Sequence, residues 1–121
     1  MVLVRMSLWH FKKGKREEAF VELDHVLNTS VRKSKGFRGY ISLRSPDDPT
    51  LAKILTMWQD EESREASEKP LFDEATNKVK NFLQGYPRIE NYKIFSAVFP
   101  AEGEVKGSDL DLGEKFVTLK R

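Results

Sequence analysis

The sequence contains no cysteine, and only two of its 121 residues, His10 and His25, are histidines. The absence of cysteine excludes disulfide frameworks, thiolate metal sites and a cysteine nucleophile. Two histidines are too few for a histidine-built metal site without carboxylate ligands, and no histidine stands at ligand spacing from the acidic cluster Asp60, Glu61 and Glu62. The sequence therefore predicts no metal site.

Long apolar runs and nucleotide-binding or hydrolase motifs are also missing. No segment approaches the roughly 20 apolar residues that a membrane span needs. The first residues, MVLVRMSLWHF, alternate and lack the basic leader and cleavage site of a signal peptide. Basic residues are concentrated in the first 45 positions, but they stand at the two ends of a predicted helix, where they suit a solvated face better than a nucleic-acid interface. We expect a soluble, cytoplasmic protein that binds neither nucleic acid nor membrane.

Hydrophobic periodicity and turn residues predict the order β-α-β-β-α-β, in which the second helical region is divided into two helices. The signals include Gly14 and Gly36 at either end of the first helix, the turn SPDDPT, and Pro70, which should interrupt the second helical region. The predicted elements are a strand over 2–11, a helix over 15–34, strands over 37–44 and 51–59, a short helix from 61 to 68, a second helix with Pro70 in its first turn, and a strand over 89–99.

This order predicts an α+β, ferredoxin-like fold with an antiparallel sheet and both helices on one face. The first strand is apolar on its other face as well, since that face carries Val2, Val4, Met6 and Leu8. Such a face needs a cover. We therefore expect a homodimer in which two sheets pack together as a dimeric α/β barrel.

Three segments resemble the dimeric α/β-barrel superfamily, which includes antibiotic-biosynthesis monooxygenases and heme-degrading monooxygenases. They are the first strand ending at Gly14, the strand GFRGYISLR, and the segment LAKILTMWQDEESREASEKPLF. In that superfamily the third strand ends in a tryptophan, which here is Trp58. The resemblance covers residues 1–99 and leaves residues 100–121 as a C-terminal extension, which we expect to lie along a partner subunit or a sheet edge.

The resemblance also suggests site residues. The heme-degrading members use an asparagine on the first strand, the tryptophan, and a histidine on the last helix; the matching positions here hold Ser7, Trp58 and Thr76. Threonine has no nitrogen to ligate heme iron, so we expect no heme or other cofactor. Each of the three residues also has a structural interpretation. Trp58 would be a core aromatic, Ser7 a small polar residue bonded to a partner or to water, and Thr76 a helical hydroxyl bonded to the carbonyl one turn back. Arg5 shares a strand face with Ser7, and its guanidinium requires either a carboxylate partner or an anionic ligand.

The function that the resemblance implies is a cofactor-independent monooxygenase acting on a small, apolar or aromatic molecule held between sheet and helices. Ser7, Trp58 and Thr76 would then be catalytic, and Arg5 would bind the ligand. The alternative is a non-catalytic small-molecule binder or a structural dimer of the same fold. An ordered polar cluster around Trp58 would favour the first interpretation, and a pocket filled by side chains would favour the second.

Overall fold

The structure is a computed structural model that describes residues 2–98. The C-terminal extension and its predicted contact lie outside these residues. The elements are β1 (Leu3–His10), α1 (Arg16–Val26) with a π-helical turn (Leu27–Val31), β2 (Phe37–Arg44), β3 (Leu51–Trp58), α2 (Glu61–Val79) with a 3-10 turn (Lys80–Phe82), and β4 (Arg88–Lys93).

The four strands form one sheet in the order β2-β3-β1-β4, and every neighbouring pair is antiparallel. This topology confirms the predicted ferredoxin-like α+β fold. The sheet does not close into a barrel within residues 2–98, because β2 and β4 remain its two edges. These four strands alone therefore do not form the predicted barrel.

The core lies between the sheet and the two helices. Residues two apart on a strand share a face, so β1 contributes Leu3 and Trp9 to this layer, and its neighbour β3 contributes Ile54 and Trp58. Apolar residues of the first helical region, repeating at three- and four-residue spacing, pack against them. The buried ones are Leu23, Leu27 and Val31, while Phe20 is partly buried.

The predicted helix break at Pro70 is wrong, because α2 runs unbroken from Glu61 to Val79 with Pro70 in its interior. Proline has no N–H to donate to the carbonyl of Ala66, four residues earlier, and such a position costs about 3 kcal/mol in a helix interior. The helix continues because buried side chains on both sides of the proline, among them Ser67 and Phe72, hold it against the sheet.

The last strand is shorter than predicted. β4 ends at Lys93, and residues 94–98 are not part of a strand, although the backbone N–H of Ile94 still donates to the carbonyl of Val2 at 3.2 Å. Phe95 and Val98 are almost fully exposed. Of the predicted strand over 89–99, residues 89–93 lie in β4, residues 94–98 do not, and residue 99 lies outside the described residues.

Gly36 ends the first helical region in the left-handed conformation that its position predicts, with φ of 79°. It also permits a close approach, because a Cβ at this position would collide with the side chain of Ser63 in α2. Gly14 has the same φ of 79°, but no atom lies within 4 Å of the place where its Cβ would be. Gly14 is therefore required only for its backbone conformation, whereas Gly36 is required both for its conformation and for the close approach of α2.

Candidate functional site

A small cavity of about 40 Å³ lies between the sheet and the helices. Arg5, Ser7 and Trp9 of β1 line its floor beside Thr56 and Trp58 of β3, because alternate strand residues point to one face. Its roof consists of apolar residues, which are Leu23, Val26, Leu27 and Val31 of the first helical region and Leu71, Phe72 and Ala75 of α2. Ligand pockets usually measure about 300–1,000 Å³, so this cavity has room for only a few water molecules.

Arg5 is the charged group of this cavity, and only 3% of its surface is exposed. Its Nη2 donates to the carbonyl of Arg64 at 2.9 Å and to Oγ of Ser67 at 2.7 Å. The guanidinium carbon lies 5.1 Å from the ring centroid of Trp58 and 5.6 Å from that of Phe72. Among the described residues Arg5 forms no ion pair, and its buried Nε has no hydrogen-bond partner.

Burial lowers the pKa of Arg5 to about 10. The carboxylate of Glu68 opposes this shift, and the positive charge of Arg64 adds to it. Arg5 therefore remains protonated at neutral pH, and its charge is poorly compensated. Of the two interpretations that the sequence left open, the structural salt bridge is absent from residues 2–98.

The two indole N–H groups are both satisfied inside the protein. Nε1 of Trp9 donates to Oγ of Ser7 at 2.8 Å, and Ser7 in turn lies 3.4 Å from the carbonyl oxygen of Ile54. Nε1 of Trp58 donates to Oγ1 of Thr56 at 2.9 Å. Polar groups of Thr56 and Arg5 therefore lie beside Trp58, as the catalytic interpretation requires, but both indole N–H donors already have partners.

The structure brings Arg5, Ser7 and Trp58 to the cavity and leaves Thr76 outside it. Thr76 is half-buried, and its Oγ1 donates to the carbonyl of Phe72 at 2.6 Å, one turn earlier in α2. Thr76 is not among the residues that line the cavity. Its hydroxyl thus has the self-satisfied bonding that helical threonines commonly adopt.

The two histidines lie away from the cavity. His10 is exposed at the end of β1, with Nε2 3.8 Å from a carboxylate oxygen of Asp48, and His25 is exposed on α1. Within residues 2–98, no three His, Asp or Glu side chains are grouped so that they could hold a metal ion. In the same range, no helix is long and apolar enough to cross a membrane.

Sequence reasoning missed Thr56, Arg64 and Ser67. Thr56 could have been found, because it stands two residues before Trp58 on the same strand face. Arg64 and Ser67 are buried although both lie in a strongly charged segment. Their role depends on a contact with Arg5, some 60 residues away in the chain, which no local pattern indicates.

A second depression, the α2 cleft, opens on the surface beside the cavity. It measures about 310 Å³ and is lined by Ser34, Lys35, Asp60, Glu62, Ser63, Ala66, Ser67, Pro70 and Leu71. Leu71 lines both spaces. Ser67 lines the cleft and holds the guanidinium of Arg5. The side chain of Leu71 thus borders both the small cavity and a space of ligand size.

Comparison with known proteins agrees with this architecture. The antibiotic biosynthesis monooxygenase family matches residues 1–76. No curated protein sequence shows significant similarity to the chain.

Solved structures with the same fold are numerous. A conserved protein from Methanosarcina mazei Go1 has a TM-score of 0.65 at 18% identity, covering 77% of this chain and 92% of its own. A proposed antibiotic biosynthesis monooxygenase from Nitrosomonas europaea has a TM-score of 0.67 at 18% identity, with coverage of 78% and 90%. Another from Bordetella bronchiseptica has 0.69 at 11%, with 78% and 98%. At these identities the structures show the fold alone, whereas the family match spans more than half of the sequence. The chain belongs to the antibiotic biosynthesis monooxygenase family.

Proposed function

We propose that the protein is a cofactor-independent monooxygenase that acts on a small, apolar or aromatic molecule held between the sheet and the helices. The observation that carries this proposal is the polar cluster of Arg5, Ser7 and Thr56, which is enclosed among aromatic and aliphatic side chains. Polar groups in an otherwise apolar cavity fix a ligand's orientation. Membership of a monooxygenase family adds the reaction class.

The chemistry suits a substrate that loses a proton to form a delocalised carbanion, because such an anion can pass an electron to molecular oxygen. Anthrone is a simple example. It reacts with one O₂ to give anthraquinone and one water, so one oxygen atom enters the new carbonyl group and the other leaves as water. The positive charge of Arg5 would favour the deprotonated substrate. The apolar walls would keep bulk water from the carbanion.

The size of the cavity implies that a ligand must move Leu71. The cavity of about 40 Å³ cannot hold an aromatic ring, but the adjoining α2 cleft of about 310 Å³ lies at the lower limit of known ligand pockets. Displacement of the Leu71 side chain would join the two spaces. Binding in our proposal therefore includes this rearrangement.

A second candidate function is non-catalytic binding of a small molecule. It is favoured by the small volume of the cavity and by the indole hydrogen bonds, since Nε1 of Trp9 and Nε1 of Trp58 already have acceptors in Ser7 and Thr56. A site preorganised for reaction would keep some of these donors free for the reacting atoms.

We further propose that the chain forms a homodimer through the sheet face opposite the helices, which we call the open face. By the strand register this face carries the apolar residues Val4, Met6, Leu8, Ile41, Leu43, Leu51, Leu55, Met57 and Tyr92. Ile41, Leu43 and Tyr92 are exposed. Monomeric proteins rarely leave large apolar patches uncovered.

The proposed reaction is tested by following oxygen uptake and anthraquinone formation with purified protein and anthrone. We expect faster turnover than in buffer alone, with one O₂ consumed per anthraquinone. Trp58→Phe and Ser7→Ala should each lower the rate at least tenfold, while His25→Ala, an exposed position on α1, serves as the matched control. Anthrone that quenches tryptophan fluorescence but does not react faster would support the binding function instead. Neither binding nor turnover would reject both candidates.

A further inference from the structure

The positive charge of Arg5 has no counter-charge of its own. Within residues 2–98 no carboxylate oxygen lies within 4.0 Å of its guanidinium. The neighbouring carboxylates of Glu61 and Glu65 lie 3.4 and 3.8 Å from Nη2 of Arg64, so they compensate a different buried guanidinium. Glu68 attracts Arg5 only from beyond ion-pair distance.

The partners that Arg5 does have are neutral. A carbonyl oxygen, a serine hydroxyl and two aromatic faces satisfy part of its hydrogen bonding and stack on its plane. These neutral groups do not cancel the positive charge of Arg5, and Nε of Arg5 still lacks an acceptor. Buried charged groups are normally paired, because removing an ion from water costs several kcal/mol. Arg5 therefore occupies a site that is complete except for an anion.

We propose that the natural ligand is an aromatic molecule with an anionic oxygen, carboxylate or phenolate, and that this oxygen pairs with Arg5. The inference rests on the proposed function for the location of the ligand, and it adds the ligand's charge. The aromatic part is assigned by the rings of Trp9, Trp58 and Phe72, which line the same cavity. Arg5 would thus be the residue that determines specificity.

The α2 cleft is not expected to favour anionic over neutral ligands. Lys35 lines it, but so do the carboxylates of Asp60 and Glu62, so its charges are mixed. Ser67 lines the cleft, and its Oγ accepts from Arg5 and donates to the carbonyl of Arg64. Discrimination between anionic and neutral ligands should consequently depend on Arg5 itself.

The chain supplies its own reporter for this test. It contains two tryptophans, and both line the cavity, so intrinsic fluorescence reports occupancy of the cavity. The probes are benzoate and benzamide, which share a shape and differ in charge. A second pair, 4-nitrophenolate and 4-nitroanisole, is measured by calorimetry and separates phenolate from carboxylate recognition.

We expect wild-type protein to bind at least one anionic probe tenfold or more tightly than its neutral counterpart. Arg5→Met keeps the length of the side chain and removes the charge, so it should abolish this preference. Arg38→Met, at an exposed position on β2, should retain it. Equal affinity of wild-type protein for both members of both pairs would overturn the proposal, as would failure of all four probes to bind. The wild-type comparison decides the matter even where Arg5→Met does not fold.

The charge preference of the probes can be measured independently of anthrone oxidation. Preference for anions without anthrone oxidation would leave the present inference intact and reject the oxygenase. Anthrone oxidation without charge preference would reject the inference and retain the oxygenase.

Discussion

The two faces of the sheet are built from the same strands, yet their environments differ completely. On the helix-covered face, Trp9 and Trp58 are fully buried under α1 and α2. On the open face, Val4 and Met6 are buried only by the side chains around them, while Leu43 and Tyr92 are 45% and 51% exposed. Both faces are apolar, so composition does not distinguish them. The difference lies in which face has a second layer.

Polar residues follow the same division. The covered face places Arg5, Ser7 and Thr56 in the middle of the sheet, where water does not compete for them. On the open face the charged residues Lys53 and Glu90 stand in register with Leu8 and Met6 and remain exposed. This division matches the two proposals, which place the ligand on the covered face and the dimer interface on the open face.

The largest expected effect comes from Trp58→Ala on the covered face. Loss of this fully buried side chain should lower the free energy of unfolding by about 3–5 kcal/mol, because a cavity remains that neighbouring side chains cannot fill. Urea unfolding followed by circular dichroism measures the loss. Leu43→Ala on the open face is the control and should cost far less within a protomer. Equal losses would erase the contrast between the faces.

A charge at the centre of the open face tests association. Leu55 lies between Met6 and Ile41 in the register and is only partly buried, so Leu55→Asp should leave the protomer folded. In a dimer the carboxylate would lose its water, and we expect the dissociation constant to rise at least a hundredfold, which corresponds to about 3 kcal/mol. Analytical ultracentrifugation gives the stoichiometry.

Val21→Asp is the control for this substitution, because Val21 is an exposed apolar residue on α1. It should leave the dimer unchanged. Wild-type protein that sediments as a 14.0 kDa species at micromolar concentration would show that the open face needs no partner.

The tightness of the covered face is tested by comparing Gly36→Ala with Gly14→Ala. Both positions require a left-handed backbone, which costs a non-glycine residue about 1–2 kcal/mol. Gly36→Ala must also displace Ser63, for which overpacking adds about 1–3 kcal/mol. The difference between the urea unfolding midpoints of the two variants isolates the contact with Ser63. Similar midpoints would mean that α2 shifts to accommodate the new methyl group at no cost in stability.

The smallest expected effect is a pH dependence at the start of α2. Asp60 caps this helix, and the hydrogen bond from the backbone N–H of Ser63, 2.7 Å long, lowers the pKa of its carboxyl group. A lowered pKa in the folded state stabilises the protein above the ordinary aspartate pKa. This contribution disappears as the pH falls through the lowered value.

Asp60→Asn provides the comparison, because asparagine also caps helices but does not titrate. The stability of wild-type protein relative to this variant should therefore decline in acid. A stability difference that stays constant from neutral to acidic pH would contradict the assignment.

Much of the fold could be predicted because its signals are local. The hairpin of β2 and β3 was predicted almost to the residue, since its prolines and paired aspartates act within a single turn. Pro70 misled the prediction, because packing of α2 on the sheet outweighs a local preference. The site is different in kind. Alternation in β1 could place Arg5 beside Ser7, but the contact of Arg5 with Ser67 joins residues 62 positions apart.

Pro70 also has a consequence for the timescale on which the cavity is reached. The turn of α2 before Leu71 has one backbone hydrogen bond fewer than a regular helix, since Ala66 receives no bond from residue 70. Segments with fewer hydrogen bonds open at lower free energy than the rest of a domain. We therefore expect the amides of this turn to exchange with deuterium earlier than those of β1 and β3, so that the rate of ligand entry is set by a local opening rather than by unfolding of the protein.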